Sequence, residues 1–368
     1  MKVQRYDYPN QLGENFRQLM DDIEQMLLGG QYVLSKQVMD FEHAFADYLG
    51  AAHVCGVNSG TDALMLALNA LDIGQGDEVV TQANTFHATV SAICKVGATP
   101  VLVDADPATY LMDVDQLQTV IGIKTRAIIP VHLFGKATEM RSILTTAANH
   151  NIEVIEDAAQ AHGAEIDNHR VGTIGRIGCF SFHPSKNLAA AGDAGAICTN
   201  DAAIAERIRE LRGLGQRGQN HHVRVGWNSK LDAIQARILS EKLPRLDAWN
   251  DSRRRLAKRY RDQLGDLELG FQEPGNEGEH VYHLFQVRTP HRDELLSHLQ
   301  SAEIDAVQRY PTPIHLQPAF ESFDWQSGEF PVAERLANEL LCLPIRPNMN
   351  DDEVDYTAAQ VRTFFGRS

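Results

Sequence analysis

A lysine follows a short apolar run in Ser181-Phe182-His183-Pro184-Ser185-Lys186-Asn187-Leu188, and the small residues Ala189-Ala190-Ala191-Gly192-Asp193-Ala194-Gly195 come straight after it. An ordinary surface charge is out of place there. The setting suits an amine held near a buried carbonyl and condensing with it, which an enzyme using pyridoxal phosphate requires. Three other segments offer the remaining parts. Asn58-Ser59-Gly60-Thr61-Asp62 opens a helical run, so backbone N–H groups, two hydroxyls and the positive end of the helix dipole could meet a phosphate. Plain N-capping by Ser or Thr is the commoner use of such a turn. Asp157 ends the apolar run Val154-Ile155-Glu156, at the edge where α/β sheets bind ligands, and a carboxylate there can keep a pyridine nitrogen protonated. Helix capping is the equal alternative for it. Phe86, in Asn84-Thr85-Phe86-His87-Ala88-Thr89, could stack on a ring, although a lone Phe in such a place is more often core. Ser181 stands five residues before Lys186, so one loop could offer both a phosphate-binding hydroxyl and the amine.

These residues gain force from the elements that carry them. Phe16, Leu19, Met20, Ile23, Met26 and Leu27 recur at helical spacing before Gly29-Gly30, and Val38, Phe41, Phe45 and Leu49 recur before Gly50. Four short runs then read as buried strands: Glu78 to Thr81, Val101 to Val103, Ala127 to Val131 and Val154 to Glu156. Helical patterns lie between them, at Ala88 to Val96, Val114 to Ile121 and Ala137 to His150. This alternation predicts a parallel sheet covered by helices on both faces, which would gather the four chemical segments along one edge. From Leu231 the pattern becomes helical, with a break expected at Pro244. A strand over Tyr282 to Val287 and helices over Arg292 to Leu299 and Glu353 to Phe364 follow. A boundary near residue 245 divides the chain into a large domain, 1–245, and a small one, 246–368. The cluster Arg253-Arg254-Arg255 reads as a solvated helix face.

At 368 residues with 43% apolar and 23% charged residues, the chain can form two domains around a sizeable core. Its formal charge of -15 argues against nucleic-acid or anionic-membrane partners. No apolar run reaches membrane-span length and the first residues lack a signal-peptide core, so a cytoplasmic protein is expected. The five scattered cysteines show neither metal-ligand spacing nor a disulfide framework, so they read as free thiols and no metal site is expected.

The chain also contains Gly30-Gln31-Tyr32, Asn58-Ser59-Gly60-Thr61-Asp62-Ala63-Leu64, Gly76-Asp77-Glu78-Val79, Val131-His132-Leu133-Phe134-Gly135, Glu156-Asp157-Ala158-Ala159-Gln160, Gly226-Trp227-Asn228-Ser229-Lys230-Leu231-Asp232 and Tyr310-Pro311-Thr312-Pro313-Ile314-His315-Leu316-Gln317. In these segments, together with those around Phe86 and Lys186, it resembles the sugar aminotransferases of the DegT, DnrJ and StrS family. The likeness runs nearly end to end. It implies a fold-type I pyridoxal-phosphate-dependent transferase of α/β class, with a mostly parallel central sheet in a large domain and a smaller C-terminal α/β domain. By matching motifs, Lys186 would carry the cofactor as an internal aldimine and then shuttle the proton. Asp157 would face the pyridine nitrogen, and Gln160 would lie near the ring hydroxyl. Gly60, Thr61 and Ser181 would hold the phosphate and Phe86 would stack on the ring. Asn228 matches the residue that reaches the phosphate from a neighbouring subunit, which implies a homodimer with shared active sites.

The same resemblance implies transfer of an amino group from L-glutamate to a keto-sugar, with a nucleotide-linked 3-keto-deoxysugar as the expected acceptor. The 3-position rests on Asn84-Thr85-Phe86, Gly192-Asp193-Ala194-Gly195 and Asn228-Ser229-Lys230. A 4-keto nucleotide sugar, a non-nucleotide keto-sugar or a non-enzymatic regulator are the alternatives. Related dehydratases carry histidine in place of the lysine, so Lys186 argues against dehydration. His183, Lys230, Arg309 and His315 are candidates for substrate contacts. Lys230 stands where many members have arginine, Arg309 where histidine is common and Ser35 where glycine is frequent; Ala189-Ala190-Ala191 replaces a more glycine-bearing pattern.

Overall fold

Helical spacing turns Leu19 and Met26 inward on α1 (Phe16–Gly29) of the computed structural model, which describes residues 1–13 and 15–367. Gly30 closes that helix in the left-handed conformation. Val38, Phe41, Phe45 and Leu49 are all buried on α2 (Lys36–Leu49), and Gly50 ends it in the same way.

A strand and helix then alternate: β1 (His53–Val57), α3 (Gly60–Ala70), β2 (Glu78–Gln82), α4 (His87–Lys95), β3 (Thr99–Val103), the single turn α5 (Leu117–Val120), β4 (Thr125–Ile129), α6 (Met140–His150) and β5 (Glu153–Asp157). A small antiparallel pair, β6 (Glu165–Ile166) and β7 (His169–Arg170), precedes β8 (Ile177–Ser181), β9 (Gly195–Thr199) and α7 (Ala202–Arg212). Seven strands form one sheet in the order β1-β9-β8-β5-β4-β2-β3. Only β9 runs against its neighbours, so the sheet is mostly parallel, as expected. Successive strand residues face opposite layers. Ala127 and Ile129 of β4 enter the core with α3 and α4, whereas Ile128 between them packs with Met140 and Ile143 of α6. Burying each such aliphatic side chain is worth about 1.5–3 kcal/mol, which holds both helical layers on the sheet.

Two of the helical patterns shorten. Ala137 to Glu139 lies outside α6, because the Glu139 carboxylate caps the helix by accepting from the Ser142 amide at 2.9 Å. Val114 to Gln116 is a tight 3-10 turn ahead of α5.

After α8 (Ala233–Lys242), Pro244 sits in a 3-10 turn, Leu243–Arg245, that leads into α9 (Leu246–Leu264). Leu246 still packs in the large core, whereas Leu256, Tyr260 and Leu264 belong to a second core. That core is built on the antiparallel sheet of β10 (Gly270–Phe271), β11 (Phe285–Arg288) and β12 (Leu340–Leu343), with α10 (Arg292–Ser301) and α12 (Asp351–Phe364) packed on it. Helix α11 (Pro331–Glu339) leads into β12. The N-terminal segment returns to this second core, where Val3 is fully buried and bridges to Ile304.

Two expectations need correction here. Arg253 is not on a solvated face: it is buried, and its Nη1 donates to the carbonyls of Tyr282 at 3.0 Å and Ile345 at 3.1 Å. Only Arg254 and Arg255 of that trio make surface ion pairs, with Asp251 and Asp351. The clamp also explains why the strand begins at Phe285 rather than Tyr282, whose φ is +45°. Among the described residues no helix is long and apolar enough to cross a membrane.

Candidate active site

The C-terminal ends of β1, β5 and β8 and the turn after β2 open on one cavity of about 330 Å³. Its walls include Ser59, Gly60, Thr61, Phe86, Asp157, Gln160, Ser181, His183, Lys186 and Arg309. The sheet edge thus collects every chemical segment picked out from the sequence. It does so because β8 lies between β5 and β9, with β1 next in line.

One end of the cavity has the geometry of an anion cradle. Helix α3 starts at Gly60, and Ser59 caps it by accepting from the Asp62 amide at 3.1 Å. The Ser59 oxygen accepts that capping bond while its O–H stays free to donate, so the hydroxyl and the first amides of α3 can both meet an anion. Gly60 is required by crowding, since a Cβ there would lie 2.7 Å from the Cβ of Ser181. That contact brings the Ser181 hydroxyl beside the helix start. Ser229 ties the loop down, accepting from the Asn58 amide at 3.1 Å and donating to Asp62 Oδ2 at 2.6 Å.

Asp157 lies across the floor of the cavity. Thr89 Oγ1 donates to its Oδ2 at 2.8 Å, and the Ala159 amide to its Oδ1 at 3.2 Å. Burial raises its pKa, and the Thr89 bond, the amide and the Lys186 and His132 charges only partly offset this. The neighbouring Glu156 is fully buried but faces the other way. It accepts from the amides of Gly172, Ile174 and Gly175 at 2.7, 2.7 and 2.6 Å and lies 3.0 Å from His132 Nε2, which fixes the end of β5 that carries Asp157. Gln160 Oε1 accepts from the Phe134 amide at 2.8 Å while its Nε2 donates to Tyr310 Oη at 3.0 Å. Phe86 keeps 49% of its surface exposed at the cavity and stands 5.6 Å, centre to centre, from the Tyr310 ring.

Lys186 completes the arrangement. The residue borders the cavity and keeps some exposure, but its amine end is surrounded by protein atoms. Loss of water around the ammonium dominates, and the Arg309 charge adds to it, so that despite Asp157 the amine titrates at about 8. Behind it, His162 is fully enclosed between Phe180 and Phe182 and titrates at about 3 because burial disfavours its charge. The result is a lysine that is a usable base and nucleophile near neutral pH.

These groups fit a flat heteroaromatic ring with a phosphate at one end. The cradle takes the anion, the exposed Phe86 face offers a stacking surface, the carboxylate can meet a protonated ring nitrogen, and the lysine can reach a ring carbonyl. The structure does not bring all the candidates together. Asn228 is exposed outside this cavity and its Oδ1 accepts from Lys230 Nζ. His315 is buried away from it, 2.9 Å from Glu334 and edge-on to Phe330, so its ring is held by neighbours of its own. Thr89, His283 and Tyr310 also belong to the site and were missed. Thr89 lies one helical turn past Thr85, to which it is hydrogen-bonded at 2.8 Å, so its register on α4 was the available signal.

Comparison with known proteins agrees with this geometry. The family model described as the DegT/DnrJ/EryC1/StrS aminotransferase family matches residues 14–362. A "Pleiotropic regulatory protein" of Geobacillus stearothermophilus is 39% identical over 99% of both chains. The dTDP-3-amino-3,4,6-trideoxy-alpha-D-glucose transaminase of Micromonospora megalomicea is 41% identical over 94% of each. The UDP-N-acetyl-3-dehydro-alpha-D-glucosamine 3-aminotransferase of Acidithiobacillus ferrooxidans is 42% identical over 94% of this chain and 93% of its own. Among solved structures, S. venezuelae DesV in complex with a ketimine intermediate superposes with a TM-score of 0.97 at 39% identity, covering 100% of this chain and 99% of that one.

Proposed function

The chain belongs to the DegT/DnrJ/EryC1/StrS aminotransferase family, and from that premise we propose that it is a pyridoxal-phosphate-dependent aminotransferase. It moves an amino group from L-glutamate to a nucleotide-linked 3-keto-deoxysugar. The observation that carries the reading is the joint placement of Lys186, Asp157 and the Gly60–Thr61 helix start on one cavity. The 3-position is supported by the names of the M. megalomicea and A. ferrooxidans relatives, which share that carbon while differing in nucleotide, dTDP against UDP.

Bound in the cavity, pyridoxal phosphate supplies a carbonyl that captures amines and a ring that withdraws electrons from the adjoining carbon. The amides of Gly60 and Thr61 and the Ser181 hydroxyl would hold the phosphate. Phe86 would offer a stacking surface for the ring, and Gln160 and Tyr310 would meet its hydroxyl. Asp157 would keep the ring nitrogen protonated. Lys186 would be the attachment point and the group that carries a proton to and from the donor α-carbon. The two half-reactions share these residues, so the kinetics are ping-pong. The test is spectroscopic: L-glutamate alone should abolish the visible band of the loaded enzyme, and a 3-keto nucleotide sugar should restore it. An unchanged band would remove the glutamate assignment. It would also favour a second reading, a cofactor-binding regulator, which the name of the G. stearothermophilus relative supports.

Asn228 and Lys230 act in the cavity of a second copy within a homodimer. Their position outside the cavity of their own chain supports this, as do the exposed apolar side chains of Leu28 and Val225, 75% and 90% accessible. A sedimentation mass near that of one 40.9 kDa chain would contradict it. The protein works in the cytoplasm, a reading supported by its five unpaired thiols. The division into units 1–245 and 246–368 is supported by the Pro244 turn and the change of core along α9, with the N-terminal segment joining the second unit.

A further inference from the structure

One charge on the cavity wall has no counter-charge. Arg309 borders the cavity beside Tyr310, and also a narrow cleft formed with Asn84, Phe134 and Tyr310. It stands at the Gln160–Tyr310 side, whereas the phosphate cradle is built from Gly60, Thr61 and Ser181. Among the described residues no Asp or Glu pairs with its guanidinium. Its Nη2 donates to Tyr6 Oη at 2.9 Å, and its Nε is buried without any hydrogen-bond partner. Nearly all other partly buried arginines of the chain are neutralised, for example Arg212 by Glu42, Arg346 by Glu353 and Arg170 by Asp247. The exceptions are Arg253 and Arg261, and both donate their Nη1 to backbone carbonyls.

A guanidinium carries five donors in a planar fork suited to a carboxylate, and leaving it half-buried beside the Lys186 amine raises the cost of both charges. Lys186 feels that cost, since Arg309 lowers its proton affinity. An anion entering between Arg309 and Lys186 would relieve it. The amino donor must enter here, because its nitrogen has to reach the position of the Lys186 amine. Its α-carboxylate, one carbon away from the reacting centre, is the anion that arrives with it.

We propose that Arg309 is the residue that receives the α-carboxylate of the amino donor, held in place by Tyr6 of the N-terminal segment. The proposal rests on the aminotransferase reading and adds to it the residue that selects an amino acid as donor. Tyr6 is a positioning residue: its ring stacks on Tyr8 at 5.3 Å, and the strap that carries both is pinned by the Arg5–Asp305 ion pair at 3.0 Å and by Arg346 Nη1 donating to the Gln4 carbonyl at 2.6 Å. The strap therefore ties the second core to the cavity wall.

The test uses the cofactor-loaded enzyme and two readouts. Calorimetric titration with glutarate, a dicarboxylate that cannot react, measures carboxylate binding without turnover. Stopped-flow spectra with L-glutamate measure the donor half-reaction. Arg309→Gln should weaken glutarate about 10-fold or more and slow the donor half-reaction about 100-fold at fixed glutamate, the size expected for lost charge-assisted bonds. Arg309→Lys should recover part of both, and Tyr6→Phe should weaken glutarate two- to fivefold through the loosened fork. The half-reaction with the keto-sugar, started from the aminated cofactor, should change far less. Glutarate binding and donor rate within twofold of wild type in Arg309→Gln would overturn the proposal. So would a loss confined to the sugar half-reaction, which would assign Arg309 to the acceptor. A wild-type enzyme that binds glutarate through Arg309 yet never reacts with glutamate would instead sink the functional reading alone.

Discussion

Lys186→Met should lose covalent attachment of the cofactor entirely and cut turnover by about 10³-fold or more, the scale of a removed general acid–base catalyst. The substitution keeps the length of the four-atom stem and removes the amine. Borohydride reduction followed by peptide mass analysis should fix the cofactor to Lys186 in the wild type and nowhere in the variant. The fold should not suffer. Because burial lowers the amine to about 8 from 10.5, the native state binds fewer protons than the unfolded chain between those values. Stability of the cofactor-free protein therefore rises with pH across that window, and at pH 7 the charged lysine opposes folding. Lys186→Met should remove that slope and leave the cofactor-free protein at least as stable as the wild type at pH 7. The same shift leaves about one amine in ten unprotonated at pH 7, against about one in three thousand for an ordinary lysine. Cofactor attachment in the wild type should accelerate with pH and level off near 8. A variant that keeps turnover within tenfold, or a wild-type attachment rate still climbing steeply at pH 10, would contradict the role given to this residue.

Much of this site could be read before the fold was known, for a physical reason. Each part sits where a strand of a parallel sheet gives way to a helix, and such junctions are short, local and marked by small or capping residues. Ser59-Gly60-Thr61, Asp157 and Lys186 are legible in this way, as are the helices that end at Gly30 and Gly50. What stayed hidden depends on contacts between distant segments. Arg253 looked like one of three surface arginines, and only the fold brings the Tyr282 and Ile345 carbonyls to it. Tyr282 carried an apolar pattern that fits a strand, but that clamp and its left-handed φ delay β11 by three residues. His315 lies in the Tyr310 to Gln317 segment that resembles the family, yet its ring is taken by Glu334 and Phe330. Thr89 gave no signal except its register on α4, because its partner Asp157 is 68 residues away.

Asp157→Asn should be the second most damaging change, with the donor half-reaction slowed by about 10²- to 10⁴-fold while the protein folds normally. The asparagine keeps the shape: its oxygen can still accept from the Ala159 amide, and its NH2 can donate to Thr89 Oγ1 once that hydroxyl turns to Thr85, so the geometry of the cavity floor survives. What disappears is the negative charge that makes a protonated ring nitrogen favourable, and with it the electron-withdrawing power of the ring. Stability gives an independent reading of the same charge. Burial raises the Asp157 pKa above its usual 3.8, so the folded state holds this proton more tightly than the unfolded chain. In the cofactor-free protein its contribution is favourable below that value and is lost as pH rises through the raised pKa. Removing the charge should therefore leave the cofactor-free variant at least as stable at pH 7. Loading the cofactor reverses the balance, because the buried carboxylate then gains a cationic partner in a poorly solvated site. The rise in melting temperature on cofactor binding should consequently be larger for the wild type than for Asp157→Asn. Equal rises, together with a donor half-reaction within tenfold of wild type, would show that Asp157 serves only to cap the turn after β5.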